Sequence, residues 1–183
     1  NNEGCAVADF NKDGKLDVSA GEYWYEGPDF TVRKPIRKLL PFGKDYMTNN
    51  AEHAYDVNGD GWVDIVSGSF MESAVYWYEN PGPEGLAEGR QWRQHLLLDT
   101  KLGKNEWTAF RDMDGDGVPE FVVNSWDVKS PMMLYKLEKK ADGSFGLKPW
   151  VIHEAGELTN GHGIGFGDIN GDGLSDMFVQ HSD

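Results

Sequence analysis

Cys5 stands alone as the only cysteine among 183 residues. Neither a disulfide framework nor a Cys-rich zinc site can be built from it. Basic residues are scarce too: 17 Lys and Arg face 31 Asp and Glu, a formal net charge of −14. That balance excludes nucleic acid as a partner, because phosphate recognition needs a basic face. It excludes docking on anionic lipid for the same reason. Long apolar runs are missing, and none approaches the roughly 20 residues that span a bilayer, so no membrane insertion is expected. There is no Ser-His-Asp signature, no phosphate loop and no dinucleotide fingerprint, which leaves hydrolase, kinase and dehydrogenase chemistry without support. An initiator Met is also absent. The chain opens at Asn1, and a processed or trimmed product is expected.

Aromatic residues, by contrast, make up 13% of the chain, which sets it apart from a disordered acidic tail. Its 23 Gly and 8 Pro punctuate the sequence often, as many short strands and turns require. No long 3.6-residue periodicity competes with that reading.

One nine-residue pattern occurs four times. Loop 1 runs from Asp9 through Asn11, Asp13, Gly14 and Lys15 to Asp17. Loop 2 runs from Asp56 through Asn58, Asp60, Gly61 and Trp62 to Asp64. Loop 3 runs from Asp112 through Asp114, Asp116, Gly117 and Val118 to Glu120. Loop 4 runs from Asp168 through Asn170, Asp172, Gly173 and Leu174 to Asp176. The starts are 47, 56 and 56 residues apart. A short run of small or apolar residues precedes each loop, such as Cys5–Ala8 or Ile164–Gly167, and a β-forming run follows it. Further on come Trp24-Tyr25-Glu26-Gly27-Pro28 and Trp77-Tyr78-Glu79-Asn80-Pro81, with a weaker echo at Leu134-Tyr135-Lys136. A last strand is expected to open on an aromatic: Phe30, Trp92 and Trp150. Each unit therefore reads as strand, acidic loop and three more strands, one blade of an all-β propeller. The blades are expected at 1–47, 48–103, 104–159 and, incomplete, 160–183, as part of a larger propeller of about seven blades. Three and a half blades would leave open strand edges, so the remainder is expected from a longer chain or another copy.

The loops suit a hard cation. Calcium takes six to eight oxygens at about 2.3–2.6 Å. Positions 1, 3, 5 and 9 offer carboxylate or carboxamide oxygen, and position 7 (Lys15, Trp62, Val118 or Leu174) offers a backbone carbonyl. Gly at position 6 permits the sharp turn around the ion. An EF-hand would need a bidentate Glu at position 12. Ala20, Ser67, Val123 and Val179 stand there, and β-formers follow, so the EF-hand reading fails. Up to four structural calcium ions are expected, on loops that hold thirteen of the 31 acidic residues.

Loops and flanking segments together resemble FG-GAP/VCBS calcium-binding β-propeller repeats, as in integrin alpha-subunit heads and many secreted bacterial proteins. The resemblance implies a secreted, extracellular or periplasmic protein, where calcium is available at millimolar levels. Loop 3 departs from the pattern at Glu120 and at Pro119 before it.

First strands of propeller blades line the central channel. Six residues before each loop stand Glu3, Asn50, Glu106 and His162; seven before stand Asn2, Asn49, Asn105 and Gly161. His53 falls deeper in the same channel, and Trp107 adjoins Glu106. Asn50, Glu106, Trp107 and His162 are the expected ligand-binding residues. Carbohydrate is the expected ligand, with Trp62 as a further exposed aromatic. An enzyme is the alternative. His162-Gly163-Ile164-Gly165-Phe166-Gly167-Asp168 and the Trp-Tyr-Glu segments are similar to those of aldos-2-ulose dehydratase-type propellers. That likeness implies metal-assisted elimination on a carbohydrate, as a lyase or dehydratase, with His162 or His53 as base and Glu106 or Glu3 as acid. A third reading is an adhesion scaffold that binds an extracellular protein. His95 and His153 read as surface or blade-edge residues, Trp24 and Trp77 as packing between blades, and Cys5 as a small buried residue.

Overall fold

The computed structural model describes residues 3–44, 46–125, 130–153 and 163–180, without the side chains of Glu106, Trp107, Asn124, His153 and Gln180. Cys5–Ala8 (β1), Asp17–Ala20 (β2), Tyr23–Tyr25 (β3) and Arg33–Pro35 (β4) form an antiparallel sheet in chain order. A small hairpin of Pro41–Phe42 (β5) and Tyr46–Met47 (β6) leads to the second sheet. That sheet is Ala51–Tyr55 (β7), Asp64–Gly68 (β8), Ala74–Glu79 (β9) and Arg93–Asp99 (β10). Between its last two strands lies the short helix Gly82–Glu88 (α1). The third sheet is Asn105–Arg111 (β11), Glu120–Ser125 (β12), Met132–Lys139 (β13) and Phe145–His153 (β14). Gly163–Gly167 (β15) and Asp176–Gln180 (β16) pair as the start of a fourth. Each acidic loop joins the first two strands of its sheet, and a β-strand follows every loop. Four-stranded antiparallel meanders of this kind are propeller blades. The fold is all-β, as the repeat requires.

The chain divides into two compact units: Asn1–Ser69 with Ala74–Asp99, and Phe70–Ser73 with Thr100–Asp183. In the first unit the innermost strands β1 and β7 start side by side. The Glu3 amide donates to the Asn49 carbonyl at 3.5 Å. A Cβ on Gly4 would meet the Ala51 backbone at 2.8 Å, so only glycine allows this approach.

Between the two sheets of that unit lies an aromatic core of Phe10, Trp24, Ile36, Ile65, Tyr78, Leu86 and Trp92. Phe10, fully buried, meets the rings of Trp24 at 6.3 Å and Trp92 at 5.7 Å, both edge-on. Edge-to-face pairs of this kind add to what burial alone contributes. Phe10 is the second residue of loop 1, so the loop both turns the chain and plugs the interface between blades. Trp24 packs there as the sequence suggests.

Three expectations need correction. Phe30 does not open a strand. It sits in a turn at φ +53°, its amide donating to the Glu26 carbonyl, and β4 begins at Arg33. Trp150 lies within β14, which opens five residues earlier at Phe145. Cys5 is exposed, because alternation along β1 turns Ala6 inward and Cys5 outward.

Candidate functional site

All four loops share one hydrogen-bond scheme. In loop 2, Asp56 Oδ1 accepts the amides of Gly59 and Asp60, and Oδ2 accepts that of Gly61 at 2.7 Å. Asp9, Asp112 and Asp168 hold their own loops in the same way. Position 3 (Asn11, Asn58, Asp114 or Asn170) accepts the amide of position 5. Position 5 (Asp13, Asp60, Asp116 or Asp172) accepts the amide of position 7, contributed by Lys15, Trp62, Val118 and Leu174. The backbone coils tightly enough to need positive φ at two places. Position 6 is Gly in every loop, at +83° to +87°, and position 4 is Gly59, Gly115 or Gly171 but Lys12 in loop 1, at +60°.

Position 9 plays a different part. Both oxygens of Asp17 are taken by amides, from Phe10 and Gly27; both oxygens of Asp64 are taken likewise, from Val57 and Asn80. The two carboxylates are fully buried. Burial pushes Asp64 up to about 7 and Asp17 up as well, against the pull of those amides. This explains the Glu-Gly-Pro and Glu-Asn-Pro segments: the residue after Glu caps the aspartate, and proline next in line needs no partner for an N–H it lacks. In loop 4, Asp176 Oδ2 accepts the amides of Ile169 and Asn170.

The donor set fits a hard cation in loops 1, 2 and 4: two aspartates and an asparagine on one tight turn, with oxygen the only ligand type. Leu174 and Asn170 hold Asp172 below the usual carboxylate range. In loop 3, oxygens of Asp112, Asp114 and Asp116 lie within 4.8 Å of one another. Position 3 is acidic there and Asn elsewhere. A lysine joins this cluster. Lys136 Nζ lies 2.8 Å from Asp114, 2.5 Å from Asp116 and 3.4 Å from Glu120. Its hydrogen bond and that of Val118 hold Asp116 low, and the two aspartates push Lys136 upward.

Of the expected channel residues, His162 and Asn2 lie outside the described residues, and the side chains of Glu106 and Trp107 do as well. Glu3 is exposed and Asn50 is half-buried. Burial pushes His53 on β7 down to about 4, so it is neutral at pH 7. Asn49 and Asn105 are buried and bonded within the protein, not presented to a ligand. Asn49 belongs to a network that sequence reasoning missed. Glu52 Oε1 accepts from Arg37 (2.6 Å), Asn49 (2.7 Å) and the Gly21 amide (2.8 Å), and Oε2 accepts from the Ser19 hydroxyl. Arg37 also lies over the Tyr78 ring. This buried pair ties blade 1 to blade 2.

Beside loop 2 opens a cavity of about 590 Å³ lined by Asp60, Trp62, Glu79, Arg90, Gln91 and Arg93. Trp62, expected to be exposed, is half-buried and packs against the aromatic core, and Lys12 reaches across from loop 1 to set its ammonium 4.2 Å from the Trp62 ring. His95 is stacked on the buried Trp77 at 4.4 Å, and its Nε2 meets Glu79 at 2.7 Å. It therefore packs on the blade edge as well as standing near this cavity.

Blades carrying one acidic turn each, with the turn between first and second strand, define a repeat-built propeller module. The FG-GAP-like repeat matches residues 56–123 and again 112–179. The chain belongs to this family. No curated protein matches it. Among the described residues no helix is long and apolar enough to cross a membrane.

Proposed function

We propose that the chain is a secreted, calcium-stabilised propeller module that binds carbohydrate. The repetition of one oxygen-lined turn carries the calcium part. In loops 1, 2 and 4, the residues at positions 1, 3 and 5 would hold the ion, with Asp17, Asp64 and Asp176 bracing the turn from behind. Bound calcium would supply positive charge to carboxylates that otherwise repel one another, and so would stabilise the folded blade. It would do no chemistry. Millimolar calcium outside the cell suits such loops, which supports a secreted, extracellular or periplasmic setting.

The cavity beside Trp62 supports carbohydrate as the ligand. An indole with carboxylate, carboxamide and guanidinium groups around it offers an apolar face and hydrogen-bonding partners of both kinds. It adjoins loop 2, at the other end of β7 from Asn49 and Asn50. Burial holds His53 near 4, which makes it a weak base for the elimination alternative.

Two measurements test the reading. Thermal unfolding with calcium and with chelator is expected to differ by several degrees, and identical curves would remove calcium from the account. Titration with a panel of neutral and acidic oligosaccharides is expected to show saturable binding that Trp62→Ala abolishes. Binding that survives Trp62→Ala would place the sugar away from this cavity, and failure throughout the panel would point instead to an extracellular protein partner.

A further inference from the structure

We propose that Lys136 is the built-in cation of loop 3, holding by its ammonium the place that calcium takes in the other loops and keeping this loop free of metal. The inference rests on the calcium reading of loops 1, 2 and 4.

Three observations carry it. The first is position. Lys136 Nζ contacts Asp114, Asp116 and Glu120 together, at 2.8, 2.5 and 3.4 Å. Calcium sits about 2.3–2.6 Å from its oxygens. An ion bound to the same oxygens would press directly against a fixed positive charge, a costly contact at that range.

The second is Glu120, which is buried to 1% exposure. Its Oε2 accepts the Met113 amide, as Asp17 and Asp64 accept from Phe10 and Val57. Its Oε1 has no hydrogen-bond donor. In blades 1 and 2 the corresponding oxygen is capped by Gly27 or Asn80, but Leu137 turns its amide to the Pro119 carbonyl. Lys136 is the charge that this buried oxygen faces.

The third is register. Val18 pairs with Tyr25, Ile65 with Tyr78 and Phe121 with Tyr135. The next residue is Glu26, Glu79 and Lys136 in turn. Blade 3 thus exchanges an acid for a base at this position, and at loop position 3 it exchanges Asn for Asp. The second exchange offsets part of the first: three loop carboxylates with Glu26 or Glu79 carry −4, and four carboxylates with Lys136 carry −3.

Equilibrium dialysis of the purified protein against radioactive calcium tests the proposal. Lys136→Glu and the neutral Lys136→Met are each expected to bind one more ion per chain than the wild type. Equal, non-zero counts in wild type and variants would overturn the role of Lys136 and leave calcium in the other loops standing. No calcium in any of the three proteins would overturn the calcium reading and this inference with it. A count of none in the wild type and one in the variants would overturn the inference too, since loops 1, 2 and 4 would then hold no ion whose place Lys136 takes. A further measurement needs no variant. Amide NMR signals of Asp56–Asp64 are expected to shift when calcium is added to the wild type, and those of Asp112–Glu120 to stay in place. Shifts in loop 3 of the wild type would overturn the proposal.

Discussion

The backbone amide of Asn80 donates to Asp64 Oδ1 at 2.8 Å, tying the exit of the third strand of blade 2 to the end of its acidic loop. The Asn80 side chain then reaches back to the carbonyls of Val63 and Phe10, each at 3.0 Å. Asp64 is fully buried, with both oxygens accepting amides. Asparagine in its place would set an NH2 group against an N–H. Asp64→Asn is expected to cost about 1–3 kcal/mol in denaturant unfolding, the penalty of an unsatisfied buried donor. An unchanged midpoint would show that the turn does not depend on this carboxylate.

Phe10 fills the space between blades 1 and 2. Phe10→Ala is expected to destabilise by about 3–5 kcal/mol, through lost burial and the cavity left behind. Tryptophan fluorescence should report it directly, since Trp24 and Trp92 both border that ring. A loss under 1 kcal/mol would mean that the blades close over the gap.

Lys12 occupies a left-handed turn position filled by glycine in the other three loops. Its contact with Trp62 offsets part of the backbone cost. Lys12→Gly is therefore expected to stay close to wild-type stability. Lys12→Val, branched at Cβ, should fall below Lys12→Gly by about 1–2 kcal/mol, the order of cost of left-handed backbone for a substituted residue. Equal stability of the two variants would contradict the turn geometry.

His53 titrates near 4 when folded, below its ordinary value of 6.5. Between those values the unfolded chain binds more protons, so this residue makes stability rise with pH across that window and fall on acidification. Asp64 acts in the opposite sense, since its raised value removes stability as pH climbs toward 7. The difference between wild type and His53→Gln isolates the histidine. Their stabilities are expected to diverge progressively below pH 6, with the wild type losing more. Parallel curves would place His53 in water.

The acidic turns were plain in the sequence because the same acidic, carboxamide and glycine positions recur at fixed spacing, and the strands around them followed from that. Even the Trp-Tyr-Glu segments were visible, though not their purpose, since the amide that caps Asp17 or Asp64 belongs to backbone and leaves no side-chain signature. Lys136 stood in plain view as a weak match to Glu26 and Glu79. Its meaning appears only when β12 and β13 are paired and the ammonium falls among the carboxylates. Arg37 and Glu52 gave no signal at all, because neither belongs to a repeat and their meeting depends on how two blades pack. The channel residues were legible as a ring by counting, yet counting could not tell that Asn49 turns inward to Glu52.

The Asn80 bond to the Phe10 carbonyl, like the Arg37–Glu52 pair, crosses from one repeat to the next. Blade 1 excised alone would carry Arg37 without its carboxylate, Phe10 without Trp92 and a carbonyl without its donor. Partial opening by hydrogen exchange should accordingly release these two blades together, with one shared protection level across β2, β3, β8 and β9. Blades 1 and 2, separate as repeats in the sequence, would thus behave as a single unit of stability.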